Sequence, residues 1–201
     1  MMRHALLAGL STLLLAAQTY TDRYRLHDRT ITVVTELYND YGTKGRMASF
    51  YDDTNGTHRL LFSLVLDEDE PGCWDNNYQK STYRITDDAI IAYTLWHRSK
   101  IGYHAPEGVR KMRYTFDAKG TLRVEGEIYL ETDKPYHEIH KGMRYLITPP
   151  KTDEEQKALD AYISMIQKRY KATFITDKSR IETLRREAKE ALENSASIRW
   201  H

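Results

Sequence analysis

The chain has 201 residues, enough for one substantial domain with an appendage, and its 30 Lys and Arg nearly balance 29 Asp and Glu. A formal charge of +1 excludes a strong electrostatic bias toward nucleic acid or anionic membrane, so no nucleic-acid partner is expected. Cys73 is the sole cysteine, which excludes an intramolecular disulfide and leaves stability to the core.

The amino terminus has the pattern of a secretory signal: Arg3 and His4, then the uncharged Leu- and Ala-rich run Ala5 to Ala17. The expectation is a signal peptide over residues 1–17 and an exported, periplasmic or secreted protein. The run is too short to span a bilayer as an ordinary helix, and no later stretch is apolar and long enough, so no transmembrane segment is expected in the mature chain.

Thr19 to Asp28 reads as a polar and aromatic lead-in arm. Asp28 to Tyr41 carries two conflicting signals. Ile31, Val34, Leu37, Tyr38 and Tyr41 recur at helical spacing, with Asp28 placed to cap the start and Gly42 after the end. Against them stands the β-branched run Thr30 to Thr35. The reading leans to an N-terminal helix, with a strand as the alternative.

From Met47 the sheet signals become regular. Met47 to Tyr51 reads as a strand, Asp52 to Gly56 as a turn, and Arg59 to Leu66 as a strand apolar on both faces and hence covered on both sides. After the acidic turn Asp67 to Gly72, strands are predicted over Tyr78–Ile85 and Ala89–His97. The clearest stretch is Val109 to Glu131. Met112, Tyr114 and Phe116 share one face, Asp117 to Gly120 makes a turn, and Leu122, Val124, Gly126, Ile128 and Leu130 continue the apolar face. The other face of the second strand, with Arg123, Glu125, Glu127 and Glu131, reads as a wet, charged surface.

Met143 to Ile147 is predicted as an edge strand, and Pro149-Pro150 as a stiff boundary. Beyond it the period changes to about 3.6. Thr152 and Glu155 fit a capping box for a helix to Lys171, striped by Leu159, Ile163, Ile166 and Tyr170. A second helix from about Asp177 carries Ile181, Leu184, Ala188 and Leu192. The predicted organisation is therefore a signal over 1–17, an α+β sheet domain over 18–148 and a helical pair over 151–193. The sheet is an antiparallel meander, curved or partly closed as a small barrel. The helices pack on it or on a partner, so an oligomer through them is one possible assembly.

Candidate sites are sparse. His137 and His140 are the nearest approach to a local metal motif, but their spacing is not that of a helical zinc motif and further ligands must come from elsewhere. Neither a metal nor another cofactor is expected. Glu125 and Glu127 lie two residues apart on one strand face, about 6.6 to 7 Å between Cα atoms, and with His104 form the weak alternative of an acid–base site. Aromatic residues say more: 15 Tyr, 3 Trp and 4 Phe supply large apolar areas with polar handles, suited to a ligand groove or an interface. Trp74, Tyr78, Trp96, Tyr103 and His104 are the expected binding residues, because loops and strand ends present them. The leading expectation is a module binding a protein or small-molecule ligand; a hydrolase of a sugar or peptide and a structural envelope component are the alternatives.

Overall fold

The computed structural model describes residues 19–40, 43–69, 78–97, 107–131, 145 and 149–196. The signal-like segment, Trp74, Tyr103, His104, His137, His140 and Cys73 lie outside them. Within them the chain is a nine-stranded sheet in which each strand lies beside its predecessor. Strands β1 (Thr19–Leu26), β2 (Arg29–Asp40), β3 (Thr43–Asp52) and β4 (Arg59–Asp69) are followed by β5 (Tyr78–Ile85), β6 (Ile90–His97), β7 (Glu107–Phe116) and β8 (Leu122–Glu131). All these pairings are antiparallel; only the two-residue β9 (Thr173–Phe174) joins its neighbour β8 in parallel. The fold is α+β, and the sheet is curved without closing into a barrel.

The lead-in arm and the N-terminal helix expected from the sequence are both strands. Thr19 to Leu26 pairs residue by residue with Arg29 to Glu36 across a two-residue turn at His27 and Asp28. The β-branched run decides the outcome: alternation buries Ile31 and Val33 on the inner face, with Thr32 and Thr35 also covered, and branched side chains fit a pleated, half-buried surface better than a helix. Helical spacing along this segment was coincidental.

Curvature brings the two halves of the meander face to face. Leu26, Ile31, Phe50 and Leu64 from the first four strands share a core with Ile90, Met112 and Ile128 from the later ones. Phe50 stacks on Phe62 at 4.4 Å and meets Tyr83 edge-on at 4.8 Å, while Phe62 stacks on Tyr114 at 3.7 Å. The β1–β2 turn touches the β5–β6 turn through the His27 amide, which donates to the Asp87 carbonyl at 3.0 Å. Arg29 lies over the Phe116 ring at 4.3 Å and pairs with the buried Asp52 at 2.5 Å. Burial alone would raise the Asp52 carboxyl, but the Thr54 amide and Arg29 hold it below its ordinary value.

The β7–β8 hairpin has the expected alternation and turn. The Asp117 carboxylate accepts from the amides of Lys119 and Thr121, both at 2.9 Å, and Gly120 takes φ +76°. Gly126 sits opposite Met112, and a Cβ there would come within 2.5 Å of the Lys111 carbonyl.

Both helices dock within the chain, on opposite faces of the sheet. Helix α1 (Asp153–Tyr170) is capped by Thr152, whose side chain accepts from the Glu155 amide at 3.2 Å. Its buried Tyr162 and Ile166 enter the core between the sheet halves. Helix α2 (Lys178–Ala196) lays Leu184 and Ala188 on the outer face, against Ile91, Tyr93, Leu95 and Val109. The charged face of β8 is therefore not wholly wet: part of it lies under α2. Of the edge strand expected at Met143–Ile147 only Tyr145 lies among the described residues, and it is helical and buried.

Candidate functional site

Strand β4, expected to be central or covered on both sides, is central in the strand order, and it pairs with β5 only at Asp67–Lys80 and Glu68–Gln79. Two bulges in its pairing with β3, at Arg46/Met47 and Phe50/Tyr51, bend it, and a bulge increases local twist. The strands diverge below this seam, and Leu60 is 55% exposed. A cavity of about 620 Å³ lies at this seam and along the unpaired edge of β5, walled by β1, β3, β4, β5 and the end of α2. Its apolar lining comes from Tyr24, Leu66, Tyr83, Ile85 and Leu192, its hydroxyl floor from Ser81 and Thr82, and Asp22, Lys80, Arg84 and Glu193 add charged groups to it. Burial raises the phenol pKa of both Tyr24 and Tyr83, and Tyr83 shares its proton with Tyr24. Arg46 and Asp67 pair at the rim.

Ser81 leads from this floor into the core. Its hydroxyl donates to Thr94 Oγ1 at 3.0 Å, and the same oxygen accepts from Arg110 Nη2 at 3.2 Å. Register explains the row, since Ser81 faces Thr94 and Thr94 faces Arg110 across three strands. Arg110 shares the face of Met112, Tyr114 and Phe116, so its guanidinium points into the core side. It lies 5.5 Å from the Trp96 ring and 5.3 Å from the Tyr170 ring. No carboxylate among the described residues pairs with it, and its buried Nε has no acceptor. Burial pulls the guanidinium pKa below its ordinary value, and only the Tyr114 and Tyr170 phenols act in the other direction.

Of the aromatic residues expected to bind, two fall on described strands and are not brought together: Tyr78 opens β5 opposite His97, and Trp96, near the end of β6, is paired with Gln79. Trp96 Nε1 donates to Gln79 Oε1 at 3.0 Å, and its ring meets Tyr170 edge-on at 5.8 Å. Arg110, Ser81, Thr94 and Tyr170 were missed. The signal for Arg110 was present in the alternation: it stands two residues before Met112, a charge on an apolar face.

Glu125 and Glu127 do not converge. Glu125 is 73% exposed, 3.6 Å from Arg113. Glu127 takes Arg180 Nε at 3.0 and 3.2 Å on its two oxygens, and the Arg180 hydrogen bonds hold its carboxyl below the usual range. A general acid requires the opposite shift. Arg180 continues to Glu187 at 3.5 Å, and Glu187 to Lys111 at 2.6 Å, so the outer face carries a closed chain of ion pairs. Among the described residues no cluster of three or more His, Cys, Asp and Glu could hold a metal ion, and no helix is long and apolar enough to cross a membrane.

We compared the chain with family models, with curated proteins and with solved structures, and nothing matches.

Proposed function

We propose that the chain is an exported binding module that takes a small, largely apolar molecule into the slot between β4 and β5. The observation carrying this reading is the coincidence of the two-pair seam with the cavity of about 620 Å³. A volume of this order is that of a small-molecule pocket, and such pockets combine an apolar lining with a few placed polar groups. Here Tyr24, Leu66, Tyr83 and Leu192 supply the apolar lining, Ser81 and Thr82 the hydroxyls, and Lys80, Arg84 and Glu193 are among the charged groups around them. Export is supported by the signal-like run Ala5 to Ala17.

Leu192, near the end of helix α2, lines the slot from the rim of the outer-face cluster and is only partly buried there. In a titration with the neutral fluorophore 1-aminoanthracene, the unaltered protein should bind about one equivalent. Leu192→Trp should weaken binding at least fivefold while its circular dichroism and melting temperature stay close to the parent. Equal binding by the two proteins would remove the slot from consideration. Mass analysis of the protein recovered from the exported fraction should show a mature chain beginning at Gln18.

A further inference from the structure

An arginine side chain brought out of water is costly unless its charge and its N–H groups are met. Elsewhere in this fold cations reach carboxylates: Arg29 meets Asp52, Arg46 meets Asp67, and Arg180 meets Glu127. Arg110, whose Nε is buried, reaches none among the described residues. Its Nε and Nη2 form one edge of the guanidinium; Nη2 is held by a neutral hydroxyl oxygen and Nε by nothing.

We propose that Arg110 anchors an oxyanion site inside the curled sheet, which takes the carboxylate of an organic acid with an apolar body. A carboxylate binds the Nε–Nη2 edge through two parallel hydrogen bonds, one to each of its oxygens. Thr94 Oγ1, which Ser81 also serves, fixes the Nη2 end so that the edge is oriented before any ligand arrives. A second unmet donor lies in the same interior: the Tyr162 hydroxyl on α1 is buried without a partner. Both the Tyr162 phenol and the Arg110 guanidinium feel the charge of the Tyr170 phenol.

The surroundings decide what carries the carboxylate. Trp96 and Tyr170 present ring surface beside the guanidinium, and the other cation at the Tyr170 ring, Arg169, lies 5.4 Å from its centroid. A single negative charge on an apolar stem satisfies the arginine and leaves the rings in apolar contact; inorganic phosphate satisfies only the charge. The site is distinct from the slot between β4 and β5 and does not depend on it, although Ser81 belongs to both.

Calorimetric titration with decanoate, decanol, acetate and inorganic phosphate tests the assignment. The unaltered protein should bind decanoate at least tenfold more tightly than decanol, and more tightly than acetate or phosphate. Arg110→Met should reduce the preference for decanoate over decanol to less than twofold, and without ligand it should melt no lower than the parent, because the charge it removes has no carboxylate partner. Arg110→Lys keeps the charge without the two-pronged edge and should retain only part of the preference; it carries the comparison if Arg110→Met does not fold. Equal binding of decanoate and decanol, a preference surviving in Arg110→Met, or phosphate binding as tightly as decanoate would each overturn the proposal. In Leu192→Trp the preference should persist, so loss of slot binding and loss of the anion site are read separately.

Discussion

Arg110 and Lys111 are consecutive residues on β7, and they meet opposite electrostatic surroundings. Lys111 points outward, where Glu187 of α2 lies at 2.6 Å and joins it through Arg180 to Glu127. Arg110 points inward, beside Trp96 and Tyr170, with Thr94 as its hydrogen-bond acceptor and no carboxylate among the described residues. One face of the strand is electrostatically complete and the other is not. The difference separates charges that hold the fold together from a charge whose partner is not supplied by the described fold.

The outer face should behave as an ordinary docking surface, and its largest contribution is apolar. Leu184 is fully buried under α2, so Leu184→Ala should destabilise the protein by about 3 kcal/mol in urea unfolding. A cost below about 1 kcal/mol would mean that α2 is not packed on β6 and β7 as described. The ion pairs should matter less, because their side chains remain about one-third exposed. Arg180→Met, which removes the partner of Glu127, should cost about 1 kcal/mol, with the loss reduced in high salt.

Acid should distinguish the faces with the smallest effect. Glu127 and Glu187 both have lowered carboxyl pKa values, Glu127 chiefly through hydrogen bonds from Arg180 and Glu187 through Lys111 acting against its own burial. Groups lowered on folding contribute stability that is fully present above their ordinary value of 4.5 and is lost as pH falls through the lowered one. The double variant Glu127→Gln, Glu187→Gln should therefore show a shallower loss of stability below that pH, measured by urea midpoints. Arg110→Met should leave that slope unchanged. An altered acid slope in Arg110→Met would mean that the inner charge does meet a carboxylate.

Much of the fold was legible because period-two alternation is enforced by burial. Tyr78–Ile85 was found to its ends, and the faces of β6, β7 and β8 follow from which residues alternate. The capping Thr152 and the stripe of Ile181, Leu184 and Ala188 were equally visible, since each is a local signal. Segment Arg29 to Asp40 was misread because five apolar positions satisfied a helical period while the deciding interaction, pairing with β1 and β3, is not local. The pair Thr173–Phe174 was missed for the same reason: two residues have no period, and β8 alone makes them a strand. For the candidate site, Trp96, which lies 5.5 Å from the Arg110 guanidinium, was legible as an aromatic near a strand end. The slot was not, because it arises from the divergence of β4 and β5. Nor was the union of Arg110 with Tyr170, residues 60 positions apart in sequence.

Strand β4 stands fourth in a sheet of nine, yet from Arg59 to Leu66 no β5 residue is in register beside it. Its backbone is in the position of a border strand placed in the middle of the sheet. Border strands are where foreign segments add themselves to a sheet, and proteins guard them with charge, bulges or cover. Here the two bulges against β3 and the side chains crowding the gap, Leu66, Tyr83 and Ile85, provide that guard. Substitutions chosen to widen the gap would therefore also remove a barrier to self-association, so enlarging this pocket and keeping the protein soluble are opposing demands on the same few residues.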